Sequence, residues 1–216
     1  MVCSKILPVE IQLAMEISVV VTNYNYGKYL GRCLRSLLNQ SISKSRYEVI
    51  VIDDRSTDDS RAILRTFSPE IRIFELAENS GLSVAANTGI RSARGRYMVR
   101  VDADDYVHQD FLRVLLLGFE FFGIQFQAIS LDYLEVSPIG ETLKYGSQLE
   151  SPIACAVGFK MDAIEQIGLY NEGLRIHEEV DLLEKFQSSG FEIRNIAMPL
   201  YRYVRHKSSL TSQTLI

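Results

Sequence analysis

Four short stretches of this sequence carry the side chains that could do chemistry. Asp53-Asp54 and Asp102-Ala-Asp104-Asp105 are carboxylate clusters, Thr22-Asn-Tyr-Asn25 is a polar stop, and Glu178-Glu179-Val180-Asp181 is a further acidic run. Carboxylates at 53, 54, 102, 104 and 105 on one rim would repel strongly unless something cationic or hydrogen-bonding lies among them. A hard divalent ion, Mg2+ or Mn2+, is the natural candidate, because it prefers oxygen ligands and leaves coordination positions for a phosphate. Singly, each stretch is ordinary: Asp-Asp-x-Ser-Thr is also turn and helix-cap chemistry, and Asp-x-Asp is frequent in solvated loops. Placement gives them weight, since each of the first three ends a run that is otherwise apolar.

The elements that must position them alternate. Residues 17–22 form a β-branched strand, and Tyr29, Leu30, Cys33, Leu34, Leu37 and Leu38 then recur at helical spacing. A strand over 47–52 is followed by a helix through Phe67, with Ser56 or Thr57 as its cap and Asp58 and Asp59 in its first turn. Further strands are expected at 71–76 and 96–101, and helices at 83–93 and about 109–122. This is the pattern of βαβ units around a parallel sheet. Beyond 125 it gives way to a strand at 126–135, a turn at Pro138-Ile-Gly140, a strand at 154–159, helices at 162–167 and 178–189, and two short strands at 192–196 and 200–204. The expectation is a single α/β domain: a Rossmann-like half with a mostly parallel sheet over about 17–125, and a smaller mixed half over about 126–216. Ligands of such sheets sit beyond the carboxyl ends of the strands, where the topology switches direction. Those are the places where the acidic groups stand.

Composition narrows the classes. The chain has 216 residues, 47% apolar and 23% charged, which excludes a disordered or collagen-like chain. Its net charge of −4 speaks against a nucleic-acid binder. Cys3, Cys33 and Cys155 are odd in number and widely spaced, so they read as reduced core thiols and not as a disulfide or metal framework. No run reaches the ~18 apolar residues of a membrane span, and the first fifteen residues lack the pattern of a signal peptide. The expected setting is the cytoplasm, with peripheral attachment at the inner face of the membrane through a partner.

In order, SVVVTNYNYGKYL, EVIVIDDRSTDDS and ENSGLSVAANTGIRSARGRYMVRVDADD resemble the nucleotide-sugar half of family 2 glycosyltransferases, which have the GT-A fold. GFKMDAIEQIGLYNE, HEEVDLLEKFQSSGFEI and YRYVRHKSSLT carry the resemblance through the second half. The resemblance implies an inverting transfer of a sugar from a nucleotide-sugar donor, a UDP-sugar by preference, to a hydroxyl of a saccharide or lipid-linked acceptor. It places Thr22, Asn25, Asp53, Asp54, Asn87 and Asp102 at the nucleotide, with Asp54 facing the base and Asp102 towards the ribose. It gives Asp104, with Asp102 and His206, to the metal. It makes Glu179 the base that takes the acceptor's proton, with Glu178 and Asp181 in support, and it sets Arg205 or Lys207 near the phosphates. His108 reads as a surface residue opening a helix, and His177 has no assigned role.

The sequence departs from the family pattern at four points. Arg55 stands where glycine is usual, Leu82 and Ala86 stand where basic residues are common, and Glu179 replaces an aspartate. These departures sustain a competing reading, a catalytically degenerate protein that binds a nucleotide sugar without turning it over. A nucleotidyltransferase or phosphatase is disfavoured, because the first strand ends in Thr22-Asn-Tyr-Asn25 and carries neither a glycine-rich basic loop nor a nucleophilic Asp-x-Asp.

Overall fold

Strand β1 (Ile17–Asn23) is buried along its whole length, as expected of a parallel strand covered on both faces. Ile17, Val19 and Val21 pack under helix α1 (Gly27–Leu38), whose Leu30, Cys33, Leu34 and Leu37 form the apolar stripe, while Val20 faces the opposite side. The computed structural model describes residues 15–206. After β1 and α1 come β2 (Tyr47–Asp53), α2 (Ser60–Thr66), β3 (Arg72–Glu75), α3 (Leu82–Ser92), β4 (Tyr97–Asp102), β5 (Tyr106–Val107) and α4 (Phe111–Phe122). The remainder is β6 (Ala128–Val136), β7 (Thr142–Gly146), β8 (Val157–Lys160), α5 (Met161–Gln166), α6 (Glu178–Ser188) and β9 (Ile193–Val204).

All the strands join one mixed sheet in the order β3-β2-β1-β4-β8-β6-β9-β5, with β7 pairing on β6. β1 to β4 are parallel, β8 runs antiparallel to both β4 and β6, and β9 is parallel to β6. The chain leaves β1 towards β2 on one side and returns to β4 on the other, so the switch point lies at the carboxyl end of β1. Helix α3 can lie close on β1 because Gly89 has no side chain: a Cβ there would stand 2.4 Å from Val20 Cγ1.

Several elements differ from the sequence reading. Helix α2 begins only at Ser60, whose N–H donates to Asp58 Oδ1 (2.9 Å). The Ser56 hydroxyl is used elsewhere, accepting from the Asn25 backbone N–H and from Asn23 Nδ2. The two short strands expected after α6 are one, β9. The break appears as a bulge, where pairing jumps from Leu131 opposite Ile196 to Tyr133 opposite Tyr201. Pro199, which has no N–H for a ladder, falls inside that bulge. β5 has two residues and β7 is an exposed edge, so neither shows the buried alternation that marks a strand in a sequence.

Candidate active site

The strand register assembles the rim. Thr22 pairs across to Asp102 on one side of β1, and Asn23 pairs to Asp53 on the other. The polar stop and two of the acidic clusters therefore lie side by side at the switch point.

The first half of this rim is a hydrogen-bonded scaffold. Asp53 is fully buried and accepts from Asn23 Nδ2 (2.8 Å) and the Ser56 N–H (3.0 Å), which fixes the turn after β2. Asn25, at φ +60°, accepts on Oδ1 from the N–H groups of Thr57 and Asp58, tying the turn after β1 to the turn after β2. The Asp54 carboxylate spans the N–H groups of Ser80 (2.7 Å) and Gly81 (2.8 Å), holding the entrance to α3. Asn87 donates to the Tyr170 carbonyl and Glu172 Oε1 and accepts from the Tyr170 N–H, clamping α3 to the segment before α6.

The second half carries the charge. Asp104 lies 2.8 Å from His206 Nε2, and burial together with the charge of Asp102 raises its carboxyl above the usual range. The His206 ring stacks on Tyr29 (centroids 4.6 Å apart) and meets Tyr26 edge-on. Asp105 is buried and committed to the fold: it accepts from the Tyr201 hydroxyl (2.6 Å) and from the Val204 N–H (2.8 Å), joining the end of β4 to β9. Burial pushes its carboxyl well above the usual range.

Helix α6 presents its acidic first turn to the same region. Glu178 is buried, and burial raises its carboxyl while the Arg100 guanidinium opposes the shift. Glu179 is half-buried, and Asp181 forms an ion pair with Lys185 (2.7 Å) one turn on. His177, at φ +62°, starts the helix. Arg205 lies 3.5 Å from Glu135, and Lys207 lies outside the described residues, as does Cys3.

Two further residues at this rim had no role assigned from the sequence. Arg100, inside β4, is 3% exposed, and its Nε lies 3.2 Å from Asp102 Oδ1 and its Nη1 3.7 Å from Glu178 Oε1. Tyr201 bridges Asp105 and the Asp102 N–H. The available signal for Arg100 was a cation set inside the apolar run Met98 to Val101; Tyr201 opens the YRYVRHKSSLT stretch, but its partner is 96 residues away and nothing local gives its role.

The donor set suits a hard divalent ion. Asp102 and Asp104 offer carboxylate oxygens, His206 an imidazole nitrogen, and Asp102 Oδ1 is a buried acceptor with no hydrogen bond. Ligand atoms of Asp102, Asp105 and Cys155 also lie within 4.8 Å of one another. That trio is the weaker donor set, because both Asp105 oxygens are engaged and burial holds the Cys155 thiol well above its usual pKa, in the neutral form.

Two of the four departures have local explanations. Arg55 keeps the left-handed backbone (φ +65°) that glycine adopts at no steric cost, with its side chain exposed. Ala86 packs in the core with Val20, Ile90 and Met98, so a longer side chain there would start from a buried position.

Residues 18–128 match the model of glycosyl transferase family 2. The chain belongs to that family. Its sequence is 28% identical over 208 residues to a putative teichuronic acid biosynthesis glycosyltransferase, TuaG, of Bacillus subtilis, covering 89% of this chain and 81% of that protein. Family 2 proteins can be much longer: the chain spans 14%, 16% and 30% of three further curated relatives, which match slightly under half of it. In structure it is similar to Staphylococcus aureus TarS 1–349 in complex with UDP-GlcNAc, with a TM-score of 0.77 at 20% identity, over 92% of this chain and 61% of that one. It is also similar to the mannosyltransferase PcManGT of Pyrobaculum calidifontis in complex with GDP-Man and Mn2+, with a TM-score of 0.69 at 19% identity, over 93% and 59%. These likenesses establish the GT-A fold. No helix among the described residues is long and apolar enough to cross a membrane.

Proposed function

We propose that this family 2 member is a metal-dependent inverting glycosyltransferase that moves a sugar from a UDP-sugar to a hydroxyl of a saccharide or lipid-linked acceptor. The observation that carries this reading is the pairing of Asp104 with His206 just beyond β4, beside Arg100, which lies between Asp102 and Glu178 of the acidic first turn of α6. Residues 17–125 form the donor half and 126–216 the acceptor half. Thr22, Asn25, Asp53 and Asp54 shape the nucleotide pocket, the last two by fixing the turns that wall it. TarS with UDP-GlcNAc and TuaG by its name support a uridine donor and a role in a cell-surface polysaccharide. Such an acceptor would be met at the inner face of the membrane, by peripheral attachment through a partner.

Asp102, Asp104 and His206 would hold Mg2+ or Mn2+, which stabilises the negative charge of the departing diphosphate as a Lewis acid. In the transfer the acceptor oxygen bonds to the anomeric carbon from the face opposite the nucleotide. The anomeric carbon–oxygen bond to phosphate breaks, and UDP leaves with that electron pair. Glu179 takes the acceptor's proton. It stands in the first turn of α6, and a carboxylate within hydrogen-bond reach of the acceptor hydroxyl can serve as such a base.

The test is release of UDP from a panel of UDP-sugars, with water or short oligosaccharides as acceptor. Replacing Glu179 with Gln should cut turnover by roughly 10²- to 10⁴-fold, the range of a lost general base, while the donor still binds. Wild-type turnover in that variant would remove Glu179 from the role. Binding without turnover in the wild-type protein would favour the degenerate reading.

A further inference from the structure

Alternation along β4 turns Met98 and Arg100 to the face of the sheet that carries Val20, the face covered by α3 and α6. A guanidinium buried this deeply persists only where opposite charge and dipoles surround it. Arg100 has Asp102 on one side (3.2 Å from Nε) and Glu178 on the other (3.7 Å from Nη1). Its Nη2 faces Cys155 Sγ at 3.8 Å, and its plane lies over the Tyr170 ring at 5.4 Å. The two carboxylates belong to different elements, 76 positions apart in the numbering, and Arg100 is the group between them. Nε and Nη1 are not aligned into hydrogen bonds with them, so the fork is aimed at both carboxylates without being closed on either.

We propose that Arg100 is a positioning residue that fixes the first turn of α6, and with it Glu179, against Asp102 at the donor site. It acts through its two neighbours and touches no reacting atom. Arginine is suited to the task because its planar fork addresses two carboxylates at once, whereas a lysine ammonium is a point charge that settles on one. The proposal deepens the transferase reading and rests on it for the identity of the donor.

The test combines calorimetric titration of the whole chain with UDP and Mn2+ and amide hydrogen exchange of residues 177–182 in the ligand-free protein. Wild-type binding of UDP reports on the donor reading alone; the exchange measurement judges Arg100 whether or not UDP is the right nucleotide. Arg100→Met should weaken UDP binding and speed exchange at 177–182, each by at least about tenfold, the size of a coupled-pair loss. Exchange in β1 should stay unchanged. Arg100→Lys should restore UDP affinity to within about threefold while leaving 177–182 fast, because one carboxylate regains its partner and the other does not. Glu178→Gln should speed the same exchange. Wild-type protection of 177–182 in Arg100→Met, or in Arg100→Lys if the methionine variant does not fold, would overturn the proposal. So would protection lost evenly across the chain, the mark of a merely structural cation.

Discussion

Asp104 and Asp105 are neighbours in sequence and opposites in role. Asp104 faces His206 at the rim, whereas Asp105 is sealed inside, where its two oxygens accept from Tyr201 and from the Val204 N–H. Removing Asp105 leaves two buried donors without a partner, at about 1–3 kcal/mol each. Asp105→Ala should therefore lower the melting temperature by several degrees, roughly 2–4 °C per kcal/mol for a chain of this size. Asp104→Ala should melt close to wild type and lose its metal-dependent ligand binding instead. Differential scanning fluorimetry of the two variants checks this, and equal melting temperatures would contradict the separation. The sequence shows both aspartates at the end of a strand but cannot divide them, because the division depends on β9 arriving 96 to 99 positions later. Arg100 went unread for the same reason: a cation inside an apolar run becomes informative only once Asp102 and Glu178 are seen beside it.

At the scale of elements, the turns do the positioning. The turn after β2 needs a left-handed residue at 55, and the chain supplies arginine at φ +65°. An L-residue there carries about 1–2 kcal/mol of steric strain that glycine escapes, part of which is offset by the freedom glycine has in the unfolded chain. Arg55→Gly should thus raise stability by up to about 1 kcal/mol, measured by urea unfolding. A loss of stability would mean that the exposed arginine makes a compensating contact. The parallel strands and their helices were legible because they are long, periodic and buried on both faces. Ser56 was read as a cap because capping chemistry is local; the structure spends its hydroxyl on Asn23 and Asn25, across to the neighbouring turn. β7 escaped because it is five residues on an exposed edge, too short to set a pattern, and Tyr145 is held there by its hydroxyl on Asp132, a partner that only the folded sheet supplies.

Across the whole molecule, one continuous sheet brings to a single rim residues from positions 22, 54, 102, 178 and 206. The acidic rim is held together by the Arg100 guanidinium between Asp102 and Glu178 and by hydrogen bonds, His206 with Asp104 and backbone N–H groups on Asp54. That arrangement is stable enough to wait for a ligand and still leaves Asp102 Oδ1 without a hydrogen bond. On the proposed reading, a divalent ion with a nucleoside diphosphate would supply what such a rim lacks, and an ion bound only to the folded state would stabilise it by mass action. The account therefore turns on whether nucleotide binding depends on metal through these carboxylates. The direct measurement is calorimetric titration with UDP, with and without Mn2+, on the wild-type protein and on Asp104→Ala. Binding that requires Mn2+ and disappears in Asp104→Ala is the predicted result. UDP binding indifferent to Mn2+, or undiminished in Asp104→Ala, would contradict the account at its centre.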